Sequence, residues 1–280
     1  MSLPVFIHDL EGLLAGTPTD FASGPYTLSG AEGKHAATVQ RLQVGERLRL
    51  VDGNGQFAIL DITAVGRNEL RGTLGAIQRS VSANPQVTVI QALPKSERSE
   101  LTIDLLTQAG ADAIVPWEAA RCVAKWQGVK RAKGVQKWYQ AAIAAAKQSR
   151  RTTIPHIHQV HSTREVMALL ADFEAVFVLH EEATTGLLAG WDFHVAASVG
   201  DAVDAVRVGE SDSNHLHNIA FVIGPEGGIS PEETAEFQQR GSTLVCLGPE
   251  VLRTATAGMV ALAALGAHTA RWDVSGSVEG

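Results

Sequence analysis

The sequence predicts an α/β protein, a small β-rich module followed by a larger open sheet covered by helices. Three observations predict it. After residue 85, short apolar runs rich in β-formers alternate with helical stretches, as in a parallel sheet buried on both faces. The first 80 residues instead alternate in strand fashion around a Gly/Asn turn. Two of the late apolar runs end in Gly-Pro loops that pass directly into helices, the arrangement that places ligands at the carboxyl edge of a sheet.

Each element has its own local signal. His35–Leu42 reads as a short helix ending near Gly45, and Arg47–Val51, Phe57–Ile62 and Glu69–Leu74 read as strands. Asp52-Gly53-Asn54-Gly55 between the first two is a hairpin signal, because Gly and Asn adopt positive φ cheaply. Residues 80–84, before Pro85, form a linker. This predicts a β-barrel-like domain over 1–80 and an α/β domain over 85–273. In the second, Gln86–Leu93 and Ala113–Val115 are strands flanking a helix, Glu97–Ala109, and Val135–Gln148 is a further helix. Ser162 with Glu165 forms a capping box. Ala175–Leu179, Ile219–Ile223 and Thr243–Leu247 are buried strands, and Thr256–Ala270 is an Ala- and Gly-rich helix. The polar stretch Thr184–Asn218 has no readable period.

Composition narrows the function. The chain has 280 residues, 45% hydrophobic and 19% charged, enough for one large domain or two ordinary ones with a sizeable core. No apolar run is long enough to span a bilayer, and the start, Met1–Leu10, lacks a basic segment followed by an apolar block. The two cysteines, Cys122 and Cys246, lack metal-ligand spacing, so a reduced cytoplasmic protein is expected. His215 and His217 near Asp212 read as a polar loop, and no metal is expected. A net charge of −7 excludes nucleic-acid binding over the whole surface. Yet Arg121, Lys125, Lys130, Arg131, Lys133, Lys137, Lys147, Arg150 and Arg151 succeed one another with no acidic residue between them. Such a concentrated face can hold phosphates locally.

The chemistry gathers in two loops. Ile219–Ile223 runs into Gly224-Pro225-Glu226-Gly227-Gly228, after which Ser230-Pro231-Glu232-Glu233 opens a helix with Ser as cap and Pro at the first position. This is neither a dinucleotide nor a phosphate fingerprint, and Glu226 would repel phosphate. A ligand carrying positive charge, hydroxyls or amines suits it better. The second loop, Leu247-Gly248-Pro249-Glu250-Val251-Leu252-Arg253-Thr254-Ala255-Thr256-Ala257, again joins a strand to a helix, with Arg253 at the junction, poised for an anion or a polar base edge.

Together these loops resemble the RsmE-type 16S ribosomal RNA uridine N3-methyltransferases of the SPOUT superfamily, and the resemblance covers nearly the whole chain. Arg41-Leu42-Gln43-Val44-Gly45-Glu46 with Val51-Asp52-Gly53 resembles that family's PUA-like domain. Lys95-Ser96-Glu97-Arg98-Ser99-Glu100 and Gln148-Ser149-Arg150-Arg151 resemble two further family segments. The sequence departs from the family at Ala255, Gln108 and Lys147, where carboxylates are usual.

The resemblance implies a SPOUT-type α/β domain with a C-terminal trefoil knot, a homodimer, and S-adenosyl-L-methionine as cofactor. It places the cofactor among Leu179, His180, Ile223, Gly224, Pro225, Glu226, Gly227, Gly228, Leu247, Gly248, Leu252, Thr254, Thr256 and Ala257. Arg253 is the expected catalytic residue, and Arg41, Lys95, Arg98, Arg121, Arg150 and Arg151 the expected contacts to 16S ribosomal RNA in the small subunit. Glu226 could serve as a base or hold the cofactor's ribose or amine, and His180 could equally have no catalytic part. Two alternatives remain: another SPOUT RNA methyltransferase, acting on a ribose 2′-oxygen, and a non-catalytic RNA-binding assembly protein.

Overall fold

The computed structural model describes residues 3–10, 23–191 and 216–272. Its contacts separate two compact units, Met1–Ser82 with Ile143–Ile154, and Ala83–Ala142 with Pro155–Gly280.

The first unit contains β1 (Val5–Ile7), β2 (Ser23–Leu28), β3 (Arg47–Val51), β4 (Gln56–Val65), β5 (Leu70–Gly75) and β6 (Gln78–Arg79). The sheet order is β1-β3-β4-β5-β2, with β6 on β4. All pairs are antiparallel except β1 with β3. Alternation puts Leu48, Leu50, Leu60, Ile62, Leu70 and Leu74 on one buried face with Phe6 and Leu28. Each such side chain contributes about 2 kcal/mol by leaving water. The Asp52–Gly55 turn forms as expected: Asp52 Oδ1 accepts from the backbone N–H of Asn54 (2.7 Å) and of Gln56 (2.9 Å), with Gly53 at φ 80°.

The helix expected at His35–Leu42 begins earlier, as α1 (Gly30–Lys34), and continues as a π-helical turn over His35–Val39. Gly30 and Gly33 hid its start. Gly33 is required because a Cβ there would strike the Leu28 carbonyl. The segment after Gln148 returns to this unit. Ile154 N–H donates to Gly53 O (2.8 Å), Gly55 N–H to Thr152 O (3.2 Å), and Lys147 Nζ reaches both Glu32 carboxylate oxygens at 2.8 Å. Lys147 thus has a carboxylate partner.

The second unit contains β7 (Gln86–Ala92), α2 (Ser99–Gln108), β8 (Ala113–Glu118), α3 (Val129–Gln148), β9 (His156–Ile157), β10 (His161–Ser162), α4 (Thr163–Leu169), β11 (Ala175–Leu179), β12 (Asn218–Ile223), α5 (Pro231–Gln239), β13 (Thr243–Val245) and α6 (Thr254–His268). The last turns of α3 count with the first unit. All seven strands are parallel, in the order β10-β8-β7-β12-β11-β13 with β9 also on β8. Val89 and Ile223 lie beside Gly258 of α6 on one face; Trp117, of opposite parity, meets the Phe237 ring of α5 edge-on at 5.6 Å on the other. Helices therefore cover both faces, as the apolar strands require.

Several boundaries differ from those the sequence predicts. Strand β8 continues past Val115 through Pro116. Pro116 falls between the residues paired to β9 and those paired to β10, so on that side no ladder bond is lost. Helix α3 starts at Val129 rather than Val135 because Gly134, normally a helix breaker, makes room for the Trp126 ring. Strand β13 ends at Val245 rather than Leu247, since Cys246 bridges to Gly186 instead. Helix α6 spans Thr254–His268 rather than Thr256–Ala270, with Arg253 as its N-cap. The two-residue strands β9 and β10 are too short to show a period. The stretch Thr184–Asn218 lies mostly outside the described residues, as do Asp212 and His215.

Candidate active site

A cavity of about 920 Å³ opens at the carboxyl edge of the parallel sheet, lined wholly by the second unit. Most of its wall is made by segments at or after strand ends: Lys95 and Arg98 after β7, Arg121 after β8, Leu179–Glu182 at the end of β11, Ile223–Ile229 after β12, and Val245–Arg253 after β13. Parallel strands end together, so five loops distant in sequence share one crevice.

The Gly224–Gly228 loop is shaped by its own packing. A Cβ on Gly224 would lie 2.7 Å from Ile229 Cγ1, and one on Gly227 would lie 3.2 Å from Arg121 Cβ and O. These two glycines let Ile229 and Arg121 close in on the loop. Gly228, at φ 74°, completes a turn in which its N–H donates to Pro225 O (2.9 Å). Helix α5 starts as expected: Ser230 Oγ accepts from Glu233 N–H, and the Glu233 carboxylate accepts from Ser230 N–H, both at 3.2 Å.

Of the residues expected at the cofactor, Leu179, His180, Ile223, Gly224, Pro225, Glu226, Gly227, Gly228, Leu247, Gly248, Leu252, Thr254 and Ala257 line this cavity. Thr256 does not; its hydroxyl turns back onto Arg253 O at 3.2 Å. Arg253 lines the cavity as the N-cap of α6. Glu226 Oε1 accepts from Lys95 N–H at 3.0 Å and so ties the glycine loop to the segment after β7. His180 Nδ1 accepts from Glu182 N–H at 3.2 Å, while its own backbone N–H donates to Val245 O at 3.0 Å. Lys95, Arg98 and Arg121 are at the cavity, whereas Arg41, Arg150 and Arg151 belong to the first unit.

Sequence reasoning missed the carboxylates Glu97, Glu181, Glu182 and Glu250, and the α5 face of Pro231, Thr234 and Gln238, which also line the cavity. The same strand-end logic that selected Leu179 would have found Glu181 and Glu182. Nothing local marked the α5 face. Among the described residues, no cluster of three His, Cys, Asp or Glu is placed to hold a metal, and no helix is long and apolar enough to cross a membrane.

A family model of an RNA methyltransferase domain matches residues 82–266, and one of an RNA methyltransferase PUA domain matches 28–74. The ribosomal RNA small subunit methyltransferase E of Mycobacterium tuberculosis is 44% identical over 254 residues, 89% of each chain. Its counterpart in Bacillus subtilis is 27% identical over 87% of this chain and 90% of its own. Among solved structures, the ribosomal RNA small subunit methyltransferase E from Neisseria gonorrhoeae, bound to S-adenosyl methionine, is similar with a TM-score of 0.72 at 20% identity, covering 95% of this chain and 98% of the other. A probable rRNA-methyltransferase from Porphyromonas gingivalis gives 0.69 at 25% identity, covering 96% and 100%.

The class that fold and site define is a methyltransferase acting on RNA, with an appended PUA-like domain. Within that class, the chain belongs to the ribosomal RNA small subunit methyltransferase E family.

Proposed function

We propose that the protein transfers a methyl group from S-adenosylmethionine to N3 of a specific uridine in 16S ribosomal RNA of the small ribosomal subunit. The observation that carries this reading is the meeting of both Gly-Pro loops and Arg253 in one crevice. Its volume suits a nucleoside-sized ligand with a second group beside it. The carboxylates Glu181, Glu182 and Glu250 suit a cationic ligand. S-adenosylmethionine, when bound, supplies a methyl group on a sulfonium that already makes a good leaving group. Backbone groups of Gly224–Gly228, Leu247 and Gly248, with Leu179, Leu252 and Ala257 as apolar walls, would hold its adenosine.

The chain's own residues then handle the base. Uridine N3 carries a proton at neutral pH and is paired in duplexes, so the base must be accessible or extruded. Removing that proton puts negative charge on the two flanking carbonyl oxygens. In this reading Arg253, at the start of α6, stabilises it. Lys95, Arg98 and Arg121 at the mouth, and Arg41, Arg150 and Arg151 on the first unit, take RNA phosphates. Residues 1–80 dock the RNA and 85–273 carry the chemistry. The trefoil knot, the homodimer and the cytoplasmic location belong to the same proposal and rest on the family resemblance.

The test is methylation of purified small subunits and of naked RNA, with the modified nucleoside mapped by mass spectrometry. N3-methyluridine is expected; a 2′-O-methylated ribose, or no product despite cofactor binding, would replace this reading with one of its rivals. Arg253→Ala should lower turnover by about 10²–10³ while cofactor affinity changes little. Unchanged turnover would remove Arg253 from the mechanism.

A further inference from the structure

We infer that Glu233 is a positioning residue for methyl transfer, acting through Arg121. The inference rests on the assignment of Arg121 to the RNA at the cavity mouth.

Glu233 lies on α5, outside the cavity lining, and is only 5% exposed. Its carboxylate accepts from three separate segments. Oε1 takes the Ala120 N–H at 2.9 Å and the Thr163 hydroxyl at 2.7 Å, and Oε2 takes the Ser230 N–H at 3.2 Å. Thr163 Oγ1 in turn accepts from Trp117 Nε1 at 3.1 Å. A capping box needs only the Ser230 bond. The other two reach away from the helix and give the buried oxygens the hydrogen-bond partners that burial would otherwise deny them.

The Ala120 bond matters because it holds the residue just before Arg121. Ala119 to Cys122 is a tight turn closed by Cys122 N–H donating to Ala119 O at 3.1 Å. Anchoring the second residue of so short a turn fixes the direction in which the third, Arg121, leaves the backbone. Arg121 then lies over the glycine loop: Nη1 donates to Gly227 O at 3.3 Å, and its Cβ would touch any side chain at Gly227. The planar guanidinium has further donors for a phosphate at the cavity that Arg121 lines. One buried carboxylate therefore sets the start of α5 and the turn carrying Arg121 in a common register. Glutamine at 233 has the same shape but only one accepting atom, so its NH2 group must confront either Ala120 N–H or Ser230 N–H.

The experiment is a double-mutant cycle on the full chain with small subunits as substrate. Cofactor Kd, kcat and KM are measured for Glu233→Gln, Arg121→Ala and the pair. Glu233→Gln should raise KM for the subunit roughly tenfold with cofactor Kd held within about twofold, and should add nothing in the Arg121→Ala background. Additive losses, or an equal loss of cofactor affinity, overturn the coupling while leaving Arg121's contact with RNA standing. Normal KM in Arg121→Ala overturns both. If Glu233→Gln does not fold, Glu233→Asp keeps the charge but shortens the reach to Ala120 N–H, and it must show the same rise in KM.

Discussion

At the scale of single residues, three imidazoles crowd one strip of chain. The rings of His156 and His158 are 4.5 Å apart, and those of His158 and His161 6.3 Å. Burial, and then the neighbouring charges of His156 and His161, lower the His158 pKa to about 4. In the unfolded chain it returns to about 6.5. Between those values the unfolded state binds more protons, so stability falls as pH drops from about 6.5 towards 4. His158→Gln should flatten that slope in urea denaturation measured across this window; parallel slopes would exclude the cluster as its cause. The Ser230–Glu233 cap was legible in the sequence because its partners are three residues apart. Glu233's ties to Ala120 and Thr163 were not, since those partners are 113 and 70 residues away. The same distance hid the Glu32 partner of Lys147.

At the scale of elements, α6 is the helix that presents Arg253, and it is seated by a glycine. A Cβ at Gly258 would lie 2.6 Å from Leu106 Cδ2 on α2, and 3.5–3.6 Å from Ile223 and Val89 of the sheet beneath. The small residues recognised in that helix thus have a definite use, close approach to α2. Gly258→Val should cost about 1–3 kcal/mol by overpacking, read as a lower unfolding midpoint. A midpoint equal to wild type would show that α2 has room to give. Most strands and helices were legible from apolar runs and caps. Two of the exceptions, the start of α3 and the end of β8, were places where Gly134 and Pro116 obey tertiary neighbours rather than local preference.

At the scale of the whole molecule, a net charge of −7 coexists with basic residues on both units. Arg98 lines the cavity of the second, and Arg150, at φ 59°, belongs to the first. If each holds a phosphate, affinity for the small subunit should fall steeply with salt, and Arg98→Gln and Arg150→Gln should each reduce the log–log slope by about one. A slope unchanged in either variant would strike that residue from the interface. The α/β fold class was legible from texture alone. The return of Ile143–Ile154 to the first unit was not, because its bonds are to Gly53 and Gly55, about a hundred residues earlier.

That return has a consequence for how the chain is made. Synthesis runs from the N-terminus, and domains tend to fold as units while they emerge. Here the first unit cannot be completed when Ser82 leaves the ribosome. The Gly53–Gly55 turn keeps an unpaired edge until Thr152–Ile154 has also been exported, by which time β7 and β8 are already waiting. Those two strands in turn wait for β12, the partner of β7, whose register pairs Asn218 with Gln86. The nascent protein therefore carries an unbonded turn in its first unit and an unfinished sheet in its second, and the edges of that sheet make the interval before residue 223 the stretch of its synthesis in which a chaperone has most to shield.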